Sequence, residues 1–234
     1  MSAQRTTENA RVVVCPGDML AKSSGVSGLM VHAMLCDEEA ARSDVTSVTQ
    51  LRIAHMGPPL GNATKTTDAV GQMALTDEQR LRIKKFVARS KSASDLRREE
   101  YRKRGQKPDP RELYVILPSA KAPSDDFPYQ RFSCVGFVLQ AYKECGVRLL
   151  GGSMPDRTLE EIKRFYPWFV RDLDDPDKRI AMGIGAGDRW PLELVGYVLH
   201  AFNRRDHEIM STPYSPRDGD EFFPRPRAGL PLES

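Results

Sequence analysis

The sequence predicts a single-domain α+β protein with one candidate nucleophile, Cys134, at the start of a helix. Three observations carry this. Short apolar runs of strand length stand between Gly, Pro and polar loops, among them LMVHAML at 29–35 and LYVIL at 113–117. Stretches with apolar residues at spacings of three and four follow later in the chain. The 234 residues are 40% apolar and 29% charged, enough for a sizeable core and unlike a disordered chain.

In chain order, residues 1–10 read as a disordered lead-in. RVVVC at 11–15 reads as a short strand stopped by Pro16-Gly17, and Met19-Leu20 begins a second extended piece. A small-residue loop, 23–28, precedes the strand 29–35, which carries His32 in its middle. The acidic segment CDEEAARSD is loop. Val48 to Ala54 reads as another strand, closed by His55, and MGPPLGNATKT reads as Gly/Pro-rich loop. Thr76-Asp-Glu-Gln is a capping box that opens a helix. From Arg89 to Gln106 the chain is strongly charged, either a solvated helix extension or a loop, and Pro108 and Pro110 end it. The strand 113–117 and a Pro-containing loop lead to RFSC. Residues 134–145 then read as a helix with Val135, Val138, Leu139 and Tyr142 on one face and Gly146 just past its end. Helices are expected at 158–166 and 191–203, the latter with Pro191 in its first turn. VGFVLQAY (135–142) and VGYVLHAF (195–202) echo one another, as two amphipathic helices with similar packing needs do. The domain is set at 11–211, with a tail holding five prolines from Thr212 to the end.

A net charge of +3 does not imply nucleic-acid binding, although eleven Lys/Arg cluster between Arg80 and Arg104. No apolar run approaches the ~20 residues of a membrane span, and the polar start lacks a secretion signal, so the expected location is cytoplasmic. Four cysteines (15, 36, 134, 145) without a C-x-x-C pair form neither a disulfide framework nor a zinc site. No metal or organic cofactor is expected.

A nucleophilic thiol needs a base and a group that orients the base. Cys134 has the favoured position, because a helix N-terminus presents unpaired N–H groups and the positive end of the dipole. Cys145 lies at the opposite end. Of four histidines, His32 and His55 fall on strands that can be neighbours, one as base and one as orienting partner; Gln50 is the other candidate for the orienting role. From these residues alone the reading stops at a Cys–His hydrolase or transferase.

RFSCVGFVLQAYKECGV resembles the nucleophile segment of the NlpC/P60 superfamily of papain-like cysteine peptidases and amidases, matched at Cys134, Gly136, Phe137, Val138, Tyr142 and Gly146. Pro16-Gly17-Asp18-Met19-Leu20 is similar to that family's P-G-D-L segment, which precedes the strand carrying the base histidine. The order P-G-D, His, His, Cys is that of the circularly permuted branch, with relatives of lecithin:retinol acyltransferase and YiiX-like proteins. The resemblance covers roughly 11–56 and 127–150. It makes residues 76–107 a helical insertion and 151–234 an extension. It implies a permuted papain-like α+β fold, Cys134 as nucleophile, His32 as base and His55 as orienting residue. It also implies an oxyanion site at the Cys134 N–H, with Tyr129 and Ser133 beside it. Ser133 and Val135 replace the family's usual Asp and Ser, which puts a peptidoglycan substrate in doubt. The expected reaction is cleavage of a peptide, isopeptide or related acyl bond. Acyl transfer or thioester cleavage on the same site is an alternative, and so is a catalytically silent binding module on the same fold, docking a partner through the basic helix and the Pro-rich tail.

Overall fold

The computed structural model describes residues 12–23, 29–37, 40–42, 50–56, 60–107, 120–121, 131–167, 170–181 and 187–223. The expected lead-in, the strand at 113–117 and Tyr129 lie outside the described residues.

The fold is mixed α+β around a small antiparallel sheet. The strands are β1 (Val12–Val14), β2 (Met19–Ser23), β3 (Met30–Cys36), β4 (Ala40–Arg42), β5 (Gln50–Met56), β6 (Leu60–Thr66) and β7 (Ala69–Gly71). Five of them form one sheet in the order β6-β5-β3-β2-β7, and β1 pairs with β4 apart from it. The expected strand reaching Ala54 is β5. The stretch expected as Gly/Pro-rich loop after His55 instead contains β6, paired with β5 from Gln50↔Thr66 to Met56↔Leu60. Its Gly, Asn and Thr residues give no apolar alternation; the long register with β5 makes the strand, a tertiary preference that local composition does not carry.

The two faces of the sheet are buried differently. Met19, Ala21, Ala33, Leu35 and Ala54 belong to the main core, whereas Leu20, Met34, Cys36 and Ile53 join Val14 in a smaller cluster. Period-two alternation produces this split, and burial on both sides explains why the 29–35 run is apolar almost throughout.

Helix α1 (Asp77–Lys103) begins at the expected capping box: Gln79 N donates to Thr76 Oγ1 at 3.2 Å, and Thr76 N donates to Gln79 Oε1 at 2.9 Å. Its charged half is helix. Few apolar residues are needed there, because Arg98 reaches the Leu60 carbonyl at 3.1 Å and the Arg97 guanidinium lies 4.8 Å from the centre of the Tyr101 ring. The ribbon β8 (Ala120–Lys121) and β9 (Arg131–Phe132) leads into α2 (Cys134–Glu144). Phe137 of α2 meets Phe86 of α1 and Phe132 at ring-centre distances of 5.4 and 6.1 Å, which locks α1, α2 and β9 together.

The remaining chain adds β10 (Asp156–Thr158), α3 (Leu159–Phe165), α4 (Val170–Leu173), α5 (Pro176–Ala181), β11 (Arg189–Pro191), α6 (Val195–Phe202) and α7 (Asp206–Ser211). Pro191 ends a strand paired with β10 rather than sitting in a first helical turn, and α6 starts four residues later behind Leu194. The two echoing segments are α2 and α6. Their equivalent aromatics, Tyr142 and Phe202, meet edge to face at 5.2 Å. Phe202 also lies on Gly71, where a Cβ would approach its ring to 2.5 Å, so β7 needs a residue without a side chain there. The segment expected to begin a Pro-rich tail is packed as far as Phe223: Tyr214 bridges Leu150, and Phe222 bridges Leu29.

No helix among the described residues is long and apolar enough to cross a membrane.

Candidate active site

Cys134 is the first residue of α2, and Ser133 is the N-cap. The Ser133 hydroxyl accepts from the Gly136 N–H at 2.8 Å, and the Ser133 carbonyl accepts from Phe137 at 2.9 Å. Ser133, expected beside the oxyanion site, thus serves the helix directly, a task Ser performs as well as Asp. Cys134 and Val135 are the first two residues of the helix, at the positive end of its dipole.

The thiol is buried, with 1% of the residue exposed, and Cys134 Sγ lies 3.9 Å from the Val31 carbonyl oxygen. Attack on a substrate requires the thiolate, so a base must take the thiol proton. Val31 directly precedes His32, and the fold therefore brings the helix start to the part of β3 expected to hold the base.

The register then sets where the imidazole stands. His32 is opposite Lys22, and Ala33 is opposite Ala21. Ala21 and Ala33 belong to the core that contains Cys134, while the next pair, Leu20 and Met34, belongs to the smaller cluster across the sheet. A bulge at Val31, between the pairs Lys22↔His32 and Ser23↔Met30, puts both Met30 and Val31 in the main core. His32, half-buried, accordingly stands on the Lys22 side of the strand. His55 is in β5, opposite Gly61, and β5 neighbours β3. The side chains of His55 and Gln50 lie outside the described residues.

Two residues that sequence reasoning did not single out bear on this region, one of them close to the thiol. Tyr166, buried just past α3, has its phenol pushed well above its usual range, first by burial and then by the nearby Cys134 and Glu193. Glu193 lies in the approach to α6. Neither has a local pattern that marks it, since a tyrosine after a helix and a carboxylate between two leucines come together only in three dimensions. The other histidines serve elsewhere: His200 Nε2 is 3.0 Å from the Phe222 carbonyl, and His207 is exposed on α7.

The P-G-D segment has a structural task. Gly17 turns at φ +92°, and buried Asp18 accepts from Cys15 N (2.9 Å), Gln72 Nε2 (2.8 Å) and Arg80 Nη1 (2.9 Å). The Gly17 carbonyl accepts from Tyr142 Oη at 2.9 Å. One latch therefore joins the P-G-D turn, α1 and the far end of the Cys134 helix.

Among the described residues no group of three or more His, Cys, Asp or Glu side chains could hold a metal ion. Comparison with known proteins finds no matching family model, no matching curated protein and no matching solved structure.

Proposed function

We propose that the chain is a cysteine hydrolase of peptidase or amidase type on a permuted papain-like fold. The observation that carries this reading is Cys134 at the first position of a capped helix, its thiol against the backbone of β3 one residue from His32. In the proposed reaction the base takes the thiol proton and sulfur attacks the carbonyl carbon of a peptide, isopeptide or related acyl bond. The Cys134 N–H holds the oxyanion. The protonated base then gives its proton to the leaving amine, and the thioester is hydrolysed by water that the same base deprotonates. In this reading His32 is the base, and His55 or Gln50 on the neighbouring strand orients it. An amine in place of water makes the same site an acyltransferase.

A second reading, a catalytically silent binding module, is favoured by one observation: the β3 register stands His32 on the Lys22 side, away from the core that holds the thiol.

The discriminating experiment is the pH–rate profile of iodoacetamide labelling at each cysteine, followed by mass spectrometry, in wild type, His32→Ala and His55→Ala. A hydrolase shows Cys134 labelling with an apparent pKa below the ~8.5 of free cysteine, and one histidine variant abolishes that behaviour. A Cys134 profile unchanged in both variants establishes the silent module.

A further inference from the structure

The polypeptide after α7 runs from Leu150 to Leu29, just ahead of the β3 backbone beside which Cys134 sits. Its last described residues are fastened at three points. Phe222 bridges Leu29, two residues before the carbonyl that receives the Cys134 thiol. The Phe222 carbonyl meets His200, whose ring packs edge-on to Phe223 at 5.2 Å. Glu221 is clasped by buried Arg157 at 3.0 Å, and its other contact is the Gly219 N–H at 2.8 Å. The strap also lies directly on the first turn of α6. A Cβ on Gly196 would run into the Glu221 carbonyl and come within 2.6 Å of the Asp220 carbonyl. Glu193, whose charge acts on Tyr166, lies just ahead of that turn. Cys134 itself is almost fully enclosed.

From this arrangement we infer that residues 214–223 are a lid that closes the Cys134 end of the domain and must lift from Leu29 and Gly196 before a substrate reaches the thiol. The inference rests on the reading of Cys134 as the reactive group. The lid is fastened to the body by the Arg157 clasp, the His200 contact and the Tyr214 backbone bonds to Leu149 and Gly151, with Phe223 packed into the core at its end, while a Tyr214–Asp220 hydrogen bond of 2.6 Å holds its own shape. Such a segment opens locally without unfolding the core, and labelling of a covered group tracks the open population.

Gly196→Ala places a methyl group against the strap backbone without altering any residue of the proposed chemistry, and Glu221→Gln weakens the clasp without adding bulk. In both full-length variants the lid predicts faster amide exchange across 214–223 and Cys134 labelling faster by about tenfold or more, the scale on which overpacking disfavours a closed state. Cys145, buried at the other end of α2, is the internal control and keeps its slow rate. Three results overturn the lid: strap exchange that rises while Cys134 labelling does not, Cys134 and Cys145 accelerating together, or a strap that stays protected even in the double variant. An opened variant whose Cys134 labels rapidly but turns over no peptide anilide or activated ester keeps the lid and sinks the hydrolase reading.

Discussion

Asp18 is a carboxylate with 1% exposure and three donors, one of them the Arg80 guanidinium. Removing its charge leaves Arg80 facing an amide and turns an amide N–H toward groups that can only donate. Asp18→Asn is therefore expected to cost about 3 kcal/mol, the low end of the range for breaking a buried pair, since Arg80 keeps partial access to water. Tyr142→Phe leaves the Gly17 carbonyl without its buried donor and is expected to cost about 1–3 kcal/mol. Both groups hold one turn, so the double variant should depart from additivity by more than about 0.5 kcal/mol in urea unfolding. Strict additivity means the turn is not a shared latch. At the same scale, the P-G-D residues were visible in the chain but their partner was not: Arg80 is one of eleven cations in a run that reads as a solvated face.

At the scale of elements, α3 shows how a cap couples to pH. Glu161 accepts from the Thr158 N–H at 2.8 Å and from the Thr158 hydroxyl at 3.1 Å, and it faces Arg157. The backbone hydrogen bond from Thr158 is the first cause of a carboxyl held below its ordinary value. A depressed folded value means that the contribution to stability is present above the unfolded carboxylate pKa and is lost as pH falls through the folded one. Glu161→Gln is therefore expected to flatten the acid limb of the stability–pH curve, read from chemical denaturation at stepped pH. An unchanged acid limb removes Glu161 from the linkage. Elements with such local signals were legible: the Thr76 box, the Cys134 helix with Gly146 at φ +87°, and the helix after Thr158 all form where their caps stand. Strand β6 was not legible because its Gly, Asn and Thr residues carry no strand pattern and only the hairpin register with β5 defines it, and the strand ending at Pro191 was not because its partner β10 is distant in sequence. The candidate site divides the same way. The place of Cys134 at a helix start follows from local sequence, whereas the bulge at Val31 that sets the side on which His32 stands depends on the register with β2.

At the scale of the whole molecule, the later half of the chain is integral to the core rather than appended to it. Arg157 on β10 joins Glu161 of α3, Tyr197 of α6 and Glu221 of the strap, so a single buried cation ties three separated segments together. Its bond to the Tyr197 hydroxyl is 2.6 Å, and Tyr197 is among the largest fully buried side chains. Burial is the first cause that pushes the Tyr197 phenol up to about 12, and Arg157 opposes the rise without cancelling it. Tyr214, on the strap itself, is also pushed up to about 12, by burial and then by its hydrogen bond to Asp220. A folded value above the unfolded one, about 10 for tyrosine, means that the neutral phenols stabilise fully below pH ~10 and that this contribution drains away as pH rises toward ~12. For Tyr197 the loss is on the order of 2 kcal/mol. The expected result is an alkaline unfolding limb between pH ~10 and ~12 in which the strap and α6 exchange amides ahead of the central sheet. Tyr197→Phe should remove much of the pH dependence while lowering stability at neutral pH by about 1–3 kcal/mol, because Arg157 loses an acceptor. If the sheet and the strap open together at every alkaline pH, Arg157 does not define a separable unit and the later half melts with the rest. If the strap opens first, the clasp is the weakest closure of an otherwise continuous core, and the end of the molecule that holds Cys134 is the end that opens.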